Sequence, residues 1–304
     1  MTDEKSLVNL GDISKPAAIL VEKVSDAVGG IFKPYQIVRV ARAEAEAEVI
    51  RAQAQIKIED LHRRAMHRFL QEEARKQANI EEITRNALPS VADGATPDQL
   101  DDDWIVNFFD KCRIISDQQM QSLWSLALAG EANTPGSFSR RTIDLLASLD
   151  KRDAQLFTKL CSHCWIFGSV TALVFDHHEP FYEERGITFN SLQHLESIGL
   201  IQFGAISGFK RIKLPKQFVI FYYGRGLELQ CRQEADNAVD IGQVMLTQSG
   251  AELAPITGSA PDPEVYDFVK QRFAGRGLVA PPAPEVSEAP GKTATGVTDG
   301  EKAG

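Results

Sequence analysis

No hydrophobic run in the 304 residues approaches the roughly 20 needed for a helix to cross a bilayer. The longest, residues 164–175, spans about 12 residues, is interrupted by Gly168, and reads as buried core. Met1 is not followed by a basic segment leading into an apolar stretch, so no secretion signal is expected. A cytoplasmic protein with at most peripheral membrane contact is the resulting expectation. Cysteine is scarce: Cys112, Cys161, Cys164 and Cys231 are too few and too scattered for a disulfide framework, which leaves reduced thiols. There is no Gly-x-Ser-x-Gly, P-loop, dinucleotide fingerprint or His-Glu-x-x-His. Neither an enzyme nor a cofactor is expected, and no residue is assigned a catalytic role. Positive charge is also short, with 33 Lys and Arg against 42 Asp and Glu and a net charge of −9. That balance favours solubility and argues against non-specific binding to nucleic acid or anionic lipid.

What is present is mainly helix, within an α+β chain of five parts. Residues 1–34 form a tail and an amphipathic helix over 14–32. Ser14 is its N-cap, Pro16 sits in the first turn and Gly29-Gly30 ends it. Residues 35–88 contain no glycine and only Pro34 before them, which predicts one long stalk helix. Along it Ala47, Ile50, Ala54, Ile58, Leu61, Ala65 and Phe69 make a narrow, nearly heptad stripe. A stripe this narrow suits one companion helix, as in a coiled coil, in the same chain or a second copy. Residues 96–175 read as a compact helical domain with capping boxes at Thr96 and Ser116, a helix end at Gly130, and further starts at Ser137 or Ser139 and at Asp150. Residues 176–256 read as a small winged-helix-like module. It comprises a helix over 191–198, a hairpin turning at Gly224-Arg225-Gly226, and a Leu-Thr-x-x-Gly-x-x-Leu segment from Leu246 to Leu253. Residues 257–304 hold a docking helix over 263–273 and, from about 279, a disordered tail rich in Pro, Ala, Gly and Thr.

Four features invite a function, and each has a plainer explanation. Gly136, Ser137, Ser139, Arg140 and Arg141 combine a glycine turn, a helix start and two arginines, a pattern able to hold a phosphate or carboxylate. The plainer explanation is a tight interhelical connection with Phe138 buried and Arg141 paired to Glu131 or Asp144. Cys161-Ser-His163-Cys164, with His177-His178 downstream, has the outline of a zinc site. The half-site falls in an apolar run read as helix and two adjacent histidines should diverge, so buried thiols and no metal are expected. Lys210, Arg211, Lys213 and Lys216 cluster before the hairpin, but residues 176–256 carry more acids than bases, and the helix over 191–198 is not basic. Nucleic acid is therefore not an expected partner. The helix over 14–32 could lie on a membrane surface, yet docking within the protein explains the same pattern.

The stretches Ile115-Ser-Asp-Gln-Gln-Met-Gln-Ser-Leu-Trp124, Leu128-Ala-Gly-Glu131 and Pro135-Gly-Ser-Phe-Ser-Arg-Arg-Thr142 together resemble the signature of an uncharacterised bacterial family, domain of unknown function 2806. The resemblance covers about residues 100–256 and implies no activity. The N-terminal segment is similar to that of abortive-infection alpha proteins of phage-defence loci, an analogy of context rather than chemistry. A non-enzymatic interaction or self-association protein is expected, with a membrane-acting effector and a winged-helix DNA-binding regulator as alternatives.

Overall fold

The computed structural model describes residues 13–29 and 60–279. The stalk expected before Asp60 and the tail expected from about 279 lie outside the described residues, apart from Val279. Helix α1, Lys15–Val28, begins as expected: Ser14 Oγ accepts the Ala17 amide at 3.3 Å, and Gly29 closes the helix at φ 79. Its apolar face (Ala17, Leu20, Val21 and Val24) is buried. That face packs against α3, Asp102–Cys112, beside a Lys23–Asp102 ion pair of 2.9 Å.

Helix α2 runs Asp60–Ala87 and ends in a 3-10 turn, Leu88–Ser90, with Pro89 inside it. Along it Arg64 pairs with Asp60, four residues before it, at 3.6 Å, whereas Lys76 and Arg85 pair with acids three residues before them, Glu73 and Glu82. The last turns of α2 pack on α4, Gln118–Asn133. Ser125 Oγ donates to the Ile83 carbonyl at 2.9 Å across that buried seam, and Asn79 Nδ2 donates at 2.9 Å to the carbonyl of Arg113, the residue after α3.

Three expected punctuation marks move. Thr96 makes no capping bond; Pro97–Gln99 is a 3-10 turn, and Asp101 caps α3 by accepting the Trp104 amide at 2.7 Å. Asp117 rather than Ser116 caps α4, its carboxylate taking both the Gln119 and Met120 amides. Gly130 does not end that helix but lies within it. A Cβ there would stand 2.7 Å from the Phe138 ring, so the glycine makes room for a buried aromatic. Helices α5, Arg140–Ser148, and α6, Lys151–Cys161, start where expected, capped by Ser139 and by an Asp150–Asp153 capping box.

The largest departure is at residues 164–175, which are not helical. Strands β1, Cys164–Phe167, and β2, Ser169–Ala172, form a hairpin turning at Gly168, φ 73. Trp165 and Phe167 point inward while Ile166 is exposed, the two-residue period of a strand that an apolar run of this length conceals. After the short α7, Pro180–Glu183, come α8, Phe189–Ser197, and β3, Ile201–Phe203. Then follow β4, Phe209–Leu214, β5, Gln217–Tyr222, β6, Arg225–Gln230, β7, Asn237–Gly242, and β8, Val244–Leu246. The chain closes with α9, Gln248–Leu253, and α10, Pro263–Gly275. The β5–β6 turn is Tyr223-Gly224, both at positive φ, as a two-residue hairpin requires. Arg225 and Gly226 are already strand.

The sheet order is β2-β1-β5-β6, with separate antiparallel pairs β3–β8 and β4–β7. Two hydrophobic clusters result, and neither follows the divisions of the sequence. The helical core takes in Leu192, Leu195, Ile201, Val244 and Leu253 from the module expected to stand apart. The second core packs Trp165, Phe167 and the β5–β6 hairpin against Val265, Tyr266, Val269 and Phe273 of α10. Helix α10 is the docking helix anticipated over 263–273, and what it docks on is this sheet.

Candidate functional site

The connection from α4 to α5 holds the residues singled out as a ligand site, and the protein already fills it. Gly136 turns the chain at φ 89. The Gly136 and Phe138 amides donate to the two carboxylate oxygens of buried Glu131, at 2.6 and 2.8 Å. The Ser139 amide donates to Glu252 at 2.9 Å, and Ser139 Oγ accepts the Thr142 amide. Ser137 Oγ donates to the Thr134 carbonyl at 2.6 Å. Arg140 reaches Asp101 and Asp103, each at 3.1 Å, while Arg141 is exposed and pairs with neither Glu131 nor Asp144; Lys111 takes Asp144. An incoming anion would have to displace two carboxylates. Burial pushes the Glu131 carboxyl above its ordinary range, the backbone donors pull it down, and the Glu252 charge adds to the rise. The loop is an interior anion cradle with a resident carboxylate.

The apolar stripe of α2 presents a different situation. Leu61, Ala65 and Phe69 lie 18 residues before Asn79, Ile83 and Ala87, about five full turns at about 3.6 residues per turn. The two triplets therefore occupy one face of one helix. The second triplet is buried against α4, with Ile83 and Ala87 at 0% exposure. The first is open among the described residues: Leu61 is 63% and Phe69 57% exposed, flanked by Met66 at 52% and Leu70 at 44%. The charges bordering this open half pair along the helix: Arg63 and Arg64 with Asp60, Arg68 with Glu72, and Lys76 with Glu73.

The features weighed for DNA or metal binding lie apart from one another. Helix α8 exposes Asn190, Gln193, His194 and Glu196, and His194 Nε2 lies 2.6 Å from Asp153 of α6. Of the basic cluster, Arg211 turns back to Ser169 Oγ at 3.1 Å and over the Phe167 ring, and Lys216 pairs with Glu234 at 2.5 Å. Cys161 ends α6 and Cys164 begins β1, so the half-site straddles a helix-to-strand junction rather than lying in a helix. A thiol contact with Cys161, together with burial, pushes the Cys164 thiol well up, which keeps it protonated and unreactive. His163 is buried and its imidazole is pushed down to about 4 by desolvation. His177 and His178 do not diverge: their ring centroids lie 3.8 Å apart, and they gather with Asp176 rather than with either cysteine.

Glu131, Glu252 and Asp176 were not recognised as site residues in the sequence. Glu131 lies within a few residues of the glycine turn, and Asp176 adjoins the histidines; these were the available signals. Glu252 is 113 positions from its partner and offered none. A family model described as Protein of unknown function (DUF2806) matches residues 63–270, reaching further than the motifs do, upstream into α2 and downstream into α10. No curated protein and no solved structure matches the chain.

Proposed function

The chain belongs to the DUF2806 family of proteins of unknown function, and we propose that it is a non-enzymatic protein-interaction and self-association protein working through the open half of α2. The observation that supports this is the five-turn register. One apolar face is covered where α4 reaches it and bare where nothing among the described residues does. Covering a large apolar side chain is worth about 1.5–3 kcal/mol, and contiguous exposed apolar surface marks interaction sites. We assign the companion as a second copy. In an antiparallel two-fold pair the open apolar half of each copy covers that of the other, the self-complementary contact that two-fold symmetry provides.

Light scattering on the full chain tests the assignment. The expected mass is about twice the 33.5 kDa of one chain, falling to one chain in a Leu61→Glu, Phe69→Glu double variant. A monomeric parent chain would remove self-association. A hetero-partner would instead leave the parent chain monomeric in pure form.

Within the same proposal, α8, the paired β3 and β8, and α9 form a winged-helix-like unit used for protein contact rather than DNA. Its order of helix, strands and capped helix supports the likeness, and the non-basic surface of α8 favours protein as the partner. A host-defence setting rests on the likeness to abortive-infection alpha proteins alone. A membrane-acting role for residues 14–32 requires α1 to leave its seat on α3, because the face that would enter lipid is the one buried there.

A further inference from the structure

The loop between β2 and α7 carries Asp176, His177 and His178, each offering a potential ligand atom within 4.8 Å of the others. Adjacent histidines beside an acid are not in themselves a site, but here the buried histidine is held by a fixed amide and keeps one ring nitrogen without a partner. Gln243, between β7 and β8, donates through Nε2 to the Ala205 carbonyl at 2.9 Å, which fixes the orientation of its amide. Its Oε1 therefore faces the loop, where it accepts the His177 backbone amide at 3.0 Å and stands 2.7 Å from His177 Nδ1. An acceptor oxygen at that position makes Nδ1 the donor and leaves Nε2 as the ring nitrogen without a hydrogen-bond partner. Asp176 Oδ1 accepts the His178 amide at 3.0 Å and lies 3.0 Å from His178 Nδ1.

The buried member of the pair supplies a second, independent observation. His177 is 5% exposed, seated between Phe189 and Phe203 with ring centroids at 5.6 and 5.2 Å, and its Nε2 has no hydrogen-bond partner. A buried acceptor without a donor costs about 1–3 kcal/mol. A metal ion bound at that lone pair would remove the cost. An imidazole whose other nitrogen is committed to an oxygen acceptor is the arrangement that orients histidine for coordination.

We propose that Asp176, His177 and His178 form a binding site for a divalent transition-metal ion of the zinc class, with His177 Nε2 as the buried anchor and His178 as the mobile ligand. Two imidazoles and one carboxylate suit zinc better than calcium or magnesium, which demand oxygen ligands in larger number. The two ring centroids lie 3.8 Å apart with the rings inclined by 39°. Closing on one ion takes a rotation of His178, 77% exposed at its side chain, that gives up its Nδ1 contact with Asp176 and frees the carboxylate for the ion. Three protein groups leave a coordination position for water or for a side chain from another molecule. The ion would sit where the loop, α8, β3 and the β7–β8 connection meet, at the junction of the two hydrophobic cores.

The full chain, stripped with a chelator and titrated with zinc by calorimetry, tests this directly. One ion per chain is expected, with affinity reduced about tenfold or more by His178→Ala and by Asp176→Ala. The Cys161→Ser, Cys164→Ser double variant is expected to bind as the parent does. Cobalt in place of zinc should show visible bands of a nitrogen and oxygen site, without the thiolate charge-transfer absorption of a cysteine site. His178→Ala keeps the interior intact, so a folding failure at the buried His177 does not decide the outcome. Absence of stoichiometric binding overturns the proposal, as does binding that His178→Ala leaves unchanged or that the cysteine variant abolishes.

Discussion

The two halves of α2 share one face and differ in what lies over it. From Asn79 to Ala87 the stripe meets α4, and the Ser125 hydroxyl bonds the Ile83 carbonyl across the seam. From Leu61 to Leu70 the same face is 44% to 63% exposed at its large side chains. Helical periodicity alone cannot separate these halves, because it reports which face is apolar and not what arrives to cover it. Stability should reside in the covered half and association in the open one.

The comparison breaks most readily at Ile83, which is fully buried. Ile83→Ala should cost about 2–5 kcal/mol in urea unfolding. A loss under about 1 kcal/mol would mean that the covered half is not a stability element. The same logic applies to titration. His163 is buried neutral, with its imidazole held at about 4 against an ordinary 6.5. A depressed folded value means that its contribution is complete above about pH 6.5 and is lost as pH falls toward 4. Stability should drop by about 3 kcal/mol across that window, and His163→Gln should flatten the profile. At Gly130, Ala would press its Cβ on the Phe138 ring, and thermal unfolding should register a loss of about 1–3 kcal/mol. Asp117→Ala removes the acceptor for two amides at the start of α4 and should cost about 1 kcal/mol. The smallest effect on unfolding is expected in the open half. Phe69→Ala should change the stability of the isolated chain by less than about 0.5 kcal/mol, yet weaken self-association measured by sedimentation. If it destabilised the isolated chain as Ile83→Ala does, the contrast between the halves would fail.

Much of the helical part was legible from short-range signals. Ser14, Ser139 and Asp150 cap the helices that their spacing announces, since a cap needs only its own side chain and an amide two or three residues on. Reading failed where two neighbours competed for one task. Ser116 and Asp117 both satisfy the cap pattern, and the carboxylate, able to accept two amides, takes it. It failed again at residues 164–175, where an unbroken apolar run is equally consistent with a buried helix and a buried strand. At the connection from α4 to α5 the backbone amides were legible as a cradle, but not that Glu131 and Glu252 occupy it.

By itself, then, the amino-acid sequence determined where most helices of the helical core begin, which face of each is apolar, that four cysteines would build no disulfide framework, and which family signature the chain carries. All of these follow from contacts within a turn or from composition. Only the tertiary structure decided which half of α2 is covered, which carboxylates close the Gly136 turn, and that Gln243, 66 positions away, meets the His177 ring at Nδ1. Those outcomes depend on groups distant along the chain meeting in a buried space, where an unmet polar atom or an uncovered apolar face carries a free-energy cost that no local pattern records.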